Sequence, residues 1–515
     1  MKRPNFLFLM ADQMSANALS IHGNAVCRTP HLDALAEGGV VFDSAYCPSP
    51  LCAPSRFSML SGRLPAAIDA FDNAAEFRAD IPTLAHYLAL LGYRAILCGK
   101  MHFIGPDQLH GYEERLTTDV YPANFAWMAN WDRGPHYISS GVTLSSVVEA
   151  GPCVRSLQMD YDDEVEYAGI QKLYDLARDP GDRPFFLTIS FTQPHTPFTP
   201  GQAFWDRYRE DEIDMPRVPE IPFDELDELS KGLYFAHGRN LHTIREDHVR
   251  NARRGYYAMI SCVDDKIGRV LRVLEETGLR DDTIVVFASD HGEMLGERGM
   301  WYKHCFFEWS GRVPLILSHP GSLAPRREAR TVSLVDLLPT LLDLADGGEF
   351  KGETLDLDGR SMCGLLSGGD PDWPELAIAD YLAIGPGVPC RMIREGRYKL
   401  HYIHGHDPLL YDLDADPDEQ EDLAADPAFA DVRRRLERRL KENYDPEDVD
   451  RRVRACQRRR FLIAEATGRS PMWNYVARPG DEGRYVRNAK VDETKGRSRF
   501  PAVDSVPPDK HEMPS

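Results

Sequence analysis

None of the ten cysteines has a second cysteine at C-x-x-C spacing, and the ten are scattered singly along the chain. That absence excludes zinc ribbons and disulfide-built scaffolds. Long apolar runs are missing too. The first, "FLFLMA" (6–11), ends at Asp12, is too short for the core of a secretion signal and has no small-residue cleavage site after it. No stretch approaches the length of a membrane span. A cytoplasmic protein without a membrane partner is expected. Positive charge is scarce: 60 Lys and Arg stand against 81 Asp and Glu, for a net charge of −21. This disfavours a nucleic-acid partner, although a local cationic pocket is compatible with an acidic chain. Internal repeats are absent as well.

The 515 residues exceed one small core and allow two to four domains, or one large α/β domain with additions. Four short apolar runs read as strands buried on both faces: "NFLFLMA" (5–11), "RAILCG" (94–99), "PFFLTISF" (184–191) and "TIVVFAS" (283–289). Helical patterns lie between them at 29–39, 81–92 and 249–278. This alternation predicts an α/β fold with a mostly parallel central sheet flanked by helices. Residues 106–165 break the rhythm with aromatics, Gly and Pro, and read as an insertion near a site. The expected domains are 1–375 for the α/β unit and 376–445 for a smaller α+β subdomain of antiparallel strands with a charged helix. Residues 446–515 form an extension. Its Trp473, Tyr475 and Tyr485 suit docking on this subunit or on another.

In open α/β sheets ligands bind beyond the carboxyl ends of the strands. All four runs meet polar residues there: Asp12-Gln13, Lys100 and His102, His195, and Asp290-His291. Each taken singly reads as a turn or helix cap; four at one sheet edge make a site. Two Asp oxygens with neutral oxygen donors suit Ca²⁺, Mg²⁺ or Mn²⁺ better than Zn²⁺. Arg56, Lys100 and Lys303 add cations for an anionic substrate group, a sulfate or phosphate ester.

The stretch "PLCAPSRFSMLSGR" (50–63) puts Cys52 before Pro, Ser and Arg, which could be an ordinary helix start. Together with its partners it resembles the signature of the type I sulfatases, whose Cys is oxidised to Cα-formylglycine by a separate enzyme. The resemblance runs through "MADQ" (10–13), "TPHLDALAEGGVVFDSAYC" (29–47), "GKMH" (99–102), "QPHTP" (193–197), "SDHGEMLGERG" (289–299) and "RVPLI" (312–316). It ends in "LYDLDADPDEQEDLA" (410–424). It implies an alkaline-phosphatase-like fold, a formylglycine-generating enzyme as maturation partner, and one divalent metal, Ca²⁺ foremost with Mg²⁺ or Mn²⁺ as alternatives. Cys52 would be the nucleophile as a hydrated gem-diol with one oxygen on the metal, joined by Asp12, Gln13, Asp290 and His291. Arg56 would hold the gem-diol, and Lys100 and Lys303 the sulfate oxygens. His102 resembles the base that expels sulfate from the sulfated hemiacetal, and His195 the group assisting the leaving alcohol. His22, His31 and His304 read as structural or as supports behind the site residues.

Many sulfatases carry two Asp where this chain has Asp12-Gln13; Gln occurs there in choline sulfatases and phosphonate monoester hydrolases. Several stretches resemble choline sulfatases, among them "FDNAAEFRADIPTLAHYL" (71–88), "GERGMWYK" (296–303) and "WNYVARPGDEGRYVRN" (473–488). By that likeness Asn73 would lie near the sulfate, and Trp127, Trp131 and Asp380 are the candidates to hold a quaternary ammonium, with core packing as the plain alternative for the two Trp. The chain departs from that pattern at Ile384, where a second acid would stand, and across 133–158. The expected activity is hydrolysis of choline-O-sulfate or a related small alkyl or aryl sulfate. The alternatives are a phosphonate or phosphate ester hydrolase and a catalytically silent binding homologue. Related enzymes are often dimers or tetramers, so a homo-oligomer is expected.

Overall fold

Phe6, Phe8 and Met10 lie on one side of the strand Asn5–Ala11, and Leu7, Leu9 and Ala11 on the other; all six are buried. A strand with apolar neighbours on both faces belongs at the centre of a helix-covered sheet. The computed structural model places it there. It describes residues 3–135, 137, 142–179, 181–347, 350, 352–467, 499–503, 506, 507 and 509. Trp473, Tyr475 and Tyr485 lie outside the described residues.

In chain order the strands are β1 (Asn5–Ala11), β2 (Val40–Tyr46), β3 (Arg94–Gly99), β4 (Glu114–Arg115), β5 (Arg155–Ser156), β6 (Phe185–Ser190), β7 (Thr283–Ser289), β8 (Leu315–Ser318) and β9 (Arg326–Ser333). Eight of them form one sheet in the order β4-β3-β6-β1-β7-β8-β2-β9, with β5 outside it. The run β4 to β7 is parallel throughout. Only β8 opposes its neighbours β7 and β2, while β2 and β9 are parallel. The mostly parallel α/β fold is therefore as expected, and all four apolar runs are neighbouring strands in it.

One face is covered by the long Glu246–Glu276 helix and the Leu157–Arg178 helix, packing Tyr256, Ile260, Ile267 and Val165 on Leu7 and Leu9. The other is covered by the Cys52–Ser61, Leu84–Leu90 and Leu337–Ala345 helices. All ten residues of the Cys52–Ser61 helix are buried, so Cys52 enters the interior at the first position of a fully enclosed helix.

Farther along, β10 (Leu376–Tyr381), β11 (Cys390–Glu395), β12 (Tyr398–Ile403) and β13 (Leu409–Asp412) form an antiparallel meander under the Ala430–Leu440 helix. Buried Lys399 joins this sheet to the larger unit, reaching Glu308 at 2.9 Å and Glu419 at 2.8 Å. The Pro446–Ala466 helix returns to the first unit, where Gln457 accepts a hydrogen bond from Trp131 N at 2.9 Å. Beyond it, β14 (Arg499–Phe500) pairs with β5. Among the described residues no helix is long and apolar enough to cross a membrane.

Candidate active site

The carboxyl ends of β1, β3, β6 and β7 converge on Cys52. Its Sγ is 3.2 Å from His291 Nε2 and 3.8 Å from Asp12 Oδ1, and Lys303 Nζ donates to it at 3.3 Å. Asp12, Cys52, Asp290 and His291 offer four donor atoms all within 4.8 Å of one another, and every one of these residues is buried. His291 Nδ1 lies 3.0 Å from Gly292 O, an acceptor only, so Nδ1 carries the proton and Nε2 turns its lone pair toward Cys52 and Asp12. Burial holds this imidazole down to about 3, keeping it neutral. Two carboxylates and a neutral imidazole at such spacing fit a divalent cation.

Cations neutralise the carboxylates in the same place. Lys100 Nζ bonds Asp12, and Arg56 Nε lies 2.7 Å from Asp290 Oδ2. Burial works against the Asp290 carboxylate, yet Arg56 and Lys100, with the Gln13 backbone amide, outweigh it and hold its pKa below the usual range. Arg56 also donates from Nη1 to Lys100 O at 2.7 Å and Ser190 Oγ at 2.9 Å, while its buried Nη2 has no partner. An orphaned guanidinium donor next to Cys52 suits an oxygen acceptor. Burial pushes the Cys52 thiol up despite Lys303, so it is a poor thiolate nucleophile as it stands.

Departures from ordinary backbone geometry frame the site, among them Gly99, Gln13 and His102. Gly99, at φ +100°, turns β3 into Lys100, and a Cβ there would lie 2.0 Å from Ser190 O. Gln13 (φ 66°) and His102 (φ 63°) adopt the left-handed region without being glycine. Gln13 N donates to Asp290 Oδ1 at 3.1 Å and Tyr256 OH donates to Gln13 O at 2.6 Å. Asp119 Oδ2 accepts from Met101 N at 2.9 Å and His102 N at 2.6 Å, and is itself paired with Arg115. Asp119, Tyr256 and Glu293, which bonds the Gln13 amide, were not singled out from the sequence. Asp119 does fall in the 106–165 insertion that sequence pattern placed near a site.

His195 and Lys303 form the rim. Lys303 Nζ bonds Gln13 Oε1 and lies 2.7 Å from His195 Nε2. His195 Nδ1 faces Thr196 O at 2.7 Å and Tyr121 OH at 3.0 Å, which leaves Nε2 as the acceptor toward Lys303. His102 is buried against Tyr121 and Trp127, with ring centroids 5.1 and 5.6 Å away, and neither ring nitrogen has a hydrogen-bond partner. Burial, then Lys100, pushes its pKa well down. Asn73 Oδ1 accepts from Ala53 N at 3.0 Å and lines the cleft over Cys52 with Trp127.

Asp380 and Trp131 stand elsewhere than the sequence reading put them. Asp380 does not line the cleft: its carboxylate is held by Arg391 at 2.6 and 3.2 Å and by Ala66 N at 2.9 Å. The cause is strand register, because Asp380 and Arg391 are directly opposite on β10 and β11. Trp131 turns its Nε1 onto Ala383 O at 2.7 Å and so supports the cleft wall from behind. His304, read as structural or as a support behind the site, lines the cleft and shares a 2.9 Å contact with His237.

Comparison with known proteins agrees with this geometry. The Sulfatase family model matches residues 4–347, and the C-terminal model of N-sulphoglucosamine sulphohydrolase matches 296–445. A choline-sulfatase of Rhizobium meliloti (strain 1021) is 40% identical over 97% of this chain and 99% of its own. An arylsulfatase of Clostridium perfringens (strain 13 / Type A) is 26% identical over 82% of this chain and 90% of its own. Among solved structures, the phosphonate monoester hydrolase of Agrobacterium radiobacter superposes with a TM-score of 0.69 at 25% identity, covering 85% of this chain and 95% of that one. A relative aligned from end to end and a family model spanning the whole central sheet lead to one conclusion: the chain belongs to the sulfatase family, with its alkaline-phosphatase-like fold, and is a sulfuric ester hydrolase.

Proposed function

We propose that the protein hydrolyses a small organic sulfate ester in the cleft over residue 52, after Cys52 has been converted to Cα-formylglycine. The observation carrying this reading is the position of Cys52 Sγ, 3.2 Å from His291 Nε2 and 3.3 Å from Lys303 Nζ in a fully buried site. Formylglycine, once formed, supplies a hydrated aldehyde whose hydroxyl attacks sulfur and whose second hydroxyl allows sulfate to be eliminated. A divalent cation, Ca²⁺ foremost, would be held by Asp12, Asp290, His291 and residue 52, with Gln13 beside them. It would supply charge stabilisation for the sulfuryl group.

The chain's own side chains divide the remaining work. Lys303 and Lys100 neutralise the sulfate oxygens, and the free Nη2 of Arg56 binds an oxygen on residue 52. The Lys303 ammonium, which donates to His195 Nε2, can supply the proton for the departing alcohol oxygen, with His195 Nε2 relaying it. His102, held neutral by burial, can take a proton in the step that releases sulfate. Catalysis belongs to residues 1–375, while Ala383 and Ile384 of the 376–445 unit line the cleft and Arg460 of the Pro446–Ala466 helix holds Asp72 at its wall. Because Cys52 is fully buried, a formylglycine-generating enzyme would meet it before folding is complete. The reading carries with it a cytoplasmic homo-oligomer.

The test is co-expression with a formylglycine-generating enzyme, followed by peptide mass spectrometry of residue 52. Rates are then measured on choline sulfate, an aryl sulfate and an aryl phosphonate. An aldehyde at residue 52 and faster turnover of the sulfates are expected. A dominant phosphonate rate, or an unmodified thiol in an active protein, overturns the proposal.

A further inference from the structure

We infer that the cleft selects sulfate esters of uncharged, apolar alcohols, alkyl or aryl, over those of quaternary-ammonium alcohols. This rests on the reading of the cleft as the sulfate-ester site. Beyond Lys303 and His195, where a leaving alcohol would lie, the wall is made by Leu51, Trp127, Val142, Ala383 and Ile384. Its carbon surface is held firmly. Trp131 Nε1 donates to Ala383 O at 2.7 Å, Tyr381 OH donates to Ile384 O at 2.6 Å, and Arg454 Nη2 donates to Gly387 O at 3.0 Å.

A cationic alcohol needs a carboxylate with charge to spare, or several aromatic faces. Among the described residues one carboxylate, Asp72, lines the cleft, and its charge is already spent. Arg460 clasps it with Nη1 at 2.6 Å and Nη2 at 2.9 Å, and the amides of Ala74 and Ala129 add hydrogen bonds at 2.9 and 3.2 Å. Asp380, on β10 just before the segment that carries Ala383 and Ile384, is neutralised in the same way by Arg391. Among the described residues, Lys303 is then the lining side chain that carries uncompensated charge, and its sign is positive. A sulfate ester brings its own negative end to Lys303. A trimethylammonium at the other end meets Ile384 and Val142, and among the described residues its attraction comes from aromatic rings, Trp127 and Tyr121 foremost, with no carboxylate free to join them. An isopropyl, tert-butyl or phenyl group in that place loses nothing and leaves water. Ile384 and Arg460 are thus the specificity-determining residues, the first by presenting carbon and the second by silencing Asp72.

The decisive comparison uses two substrates of one shape. Choline sulfate and 3,3-dimethylbutyl sulfate differ in having nitrogen or carbon at the quaternary centre, so only charge separates them. With the formylglycine-bearing enzyme, kcat/KM for the carbon compound is expected to exceed that for choline sulfate by about tenfold or more, mostly through KM. Ile384→Asp is expected to narrow or reverse that ratio, whereas Ile384→Ala leaves its direction unchanged. Equal or better turnover of choline sulfate by the unsubstituted enzyme overturns the selectivity while leaving the sulfatase reading intact. Failure to hydrolyse either ester or an aryl sulfate, with formylglycine present, overturns the sulfatase reading itself. If Ile384→Asp does not fold, the wild-type ratio alone decides.

Discussion

Arg56 and Asp290 form a fully buried ion pair, Nε to Oδ2 at 2.7 Å, linking the helix that carries residue 52 to the end of β7. Arg56 follows Cys52 by about one helical turn, so the pair sets the distance between the Cys52 helix and the Asp290-His291 turn. Arg56→Ala removes the partner of a buried carboxylate and is expected to cost about 3–5 kcal/mol of stability. Arg56→Lys keeps the charge but cannot serve Asp290, Lys100 O and Ser190 together, and is expected to fall between. Urea denaturation of the three proteins measures the order. An Arg56→Ala stability close to that of the parent would show that the pair does not hold helix and strand together.

Gly99 is the hinge between β3 and the Lys100–His102 turn. Its φ of +100° suits glycine, and an added Cβ would sit 2.0 Å from Ser190 O, a backbone atom of the neighbouring strand that cannot give way. Gly99→Ala is therefore expected to destabilise the protein by more than about 2 kcal/mol and to displace Lys100 and His102. Thermal melts check the first part. Loss of sulfate inhibition in whatever folds checks the second, and a well-folded, fully active Gly99→Ala protein would contradict both.

The four central strands were legible because burial on both faces leaves a continuous apolar run. The edge strand β9, "RREARTVS", was not, since its outward face is charged and its buried positions come mostly at the end. β2 and β8 are short runs interrupted by polar residues or preceded by Pro, and they pair against each other in a register no local pattern announces. The donors Asp12, Asp290 and His291 could be named because strand ends in a parallel sheet share one edge. The fate of the acids could not. Asp380 meets Arg391 only through hairpin register, and Asp72 meets Arg460 only when the Pro446–Ala466 helix folds back on the first unit. Charge in the cleft is decided by those long-range pairs.

On the proposed function, residue 52 would also set which metal the site prefers. With the thiol, the donors are sulfur, an imidazole nitrogen and two carboxylates, a set that suits Zn²⁺. Conversion to a hydrated aldehyde replaces sulfur with oxygen and moves the set toward Ca²⁺, Mg²⁺ or Mn²⁺. Unconverted protein is expected to bind Zn²⁺ in preference to Ca²⁺, with release of the thiol proton. Converted protein is expected to show a weaker preference for Zn²⁺ or the reverse order. Calorimetric titrations of both forms in buffers of different ionisation enthalpy read the affinity order and the proton release together. An identical metal order in the two forms would mean that residue 52 is not a ligand.

Asp336 gives a pH dependence that can be isolated from the site. It is buried where Oδ2 accepts from Ser333 N at 2.8 Å and Oδ1 from Arg360 N at 2.7 Å. Burial outweighs these bonds and raises its pKa to about 7, against 3.8 for an ordinary Asp. Below about pH 4 the carboxyl is protonated in both folded and unfolded chains and contributes no pH dependence. Between about 4 and 7 the unfolded chain ionises while the folded one keeps its proton, so stability from this group falls as pH rises. Above 7 both are ionised and the loss is complete. Asp336→Asn, which cannot ionise, should lack this component and lose less stability than the parent between pH 5 and about 8. Urea denaturation of both proteins across that range gives the difference in slope. Parallel curves would mean that Asp336 stays ionised in the folded protein throughout, with its two backbone amides outweighing the cost of burial.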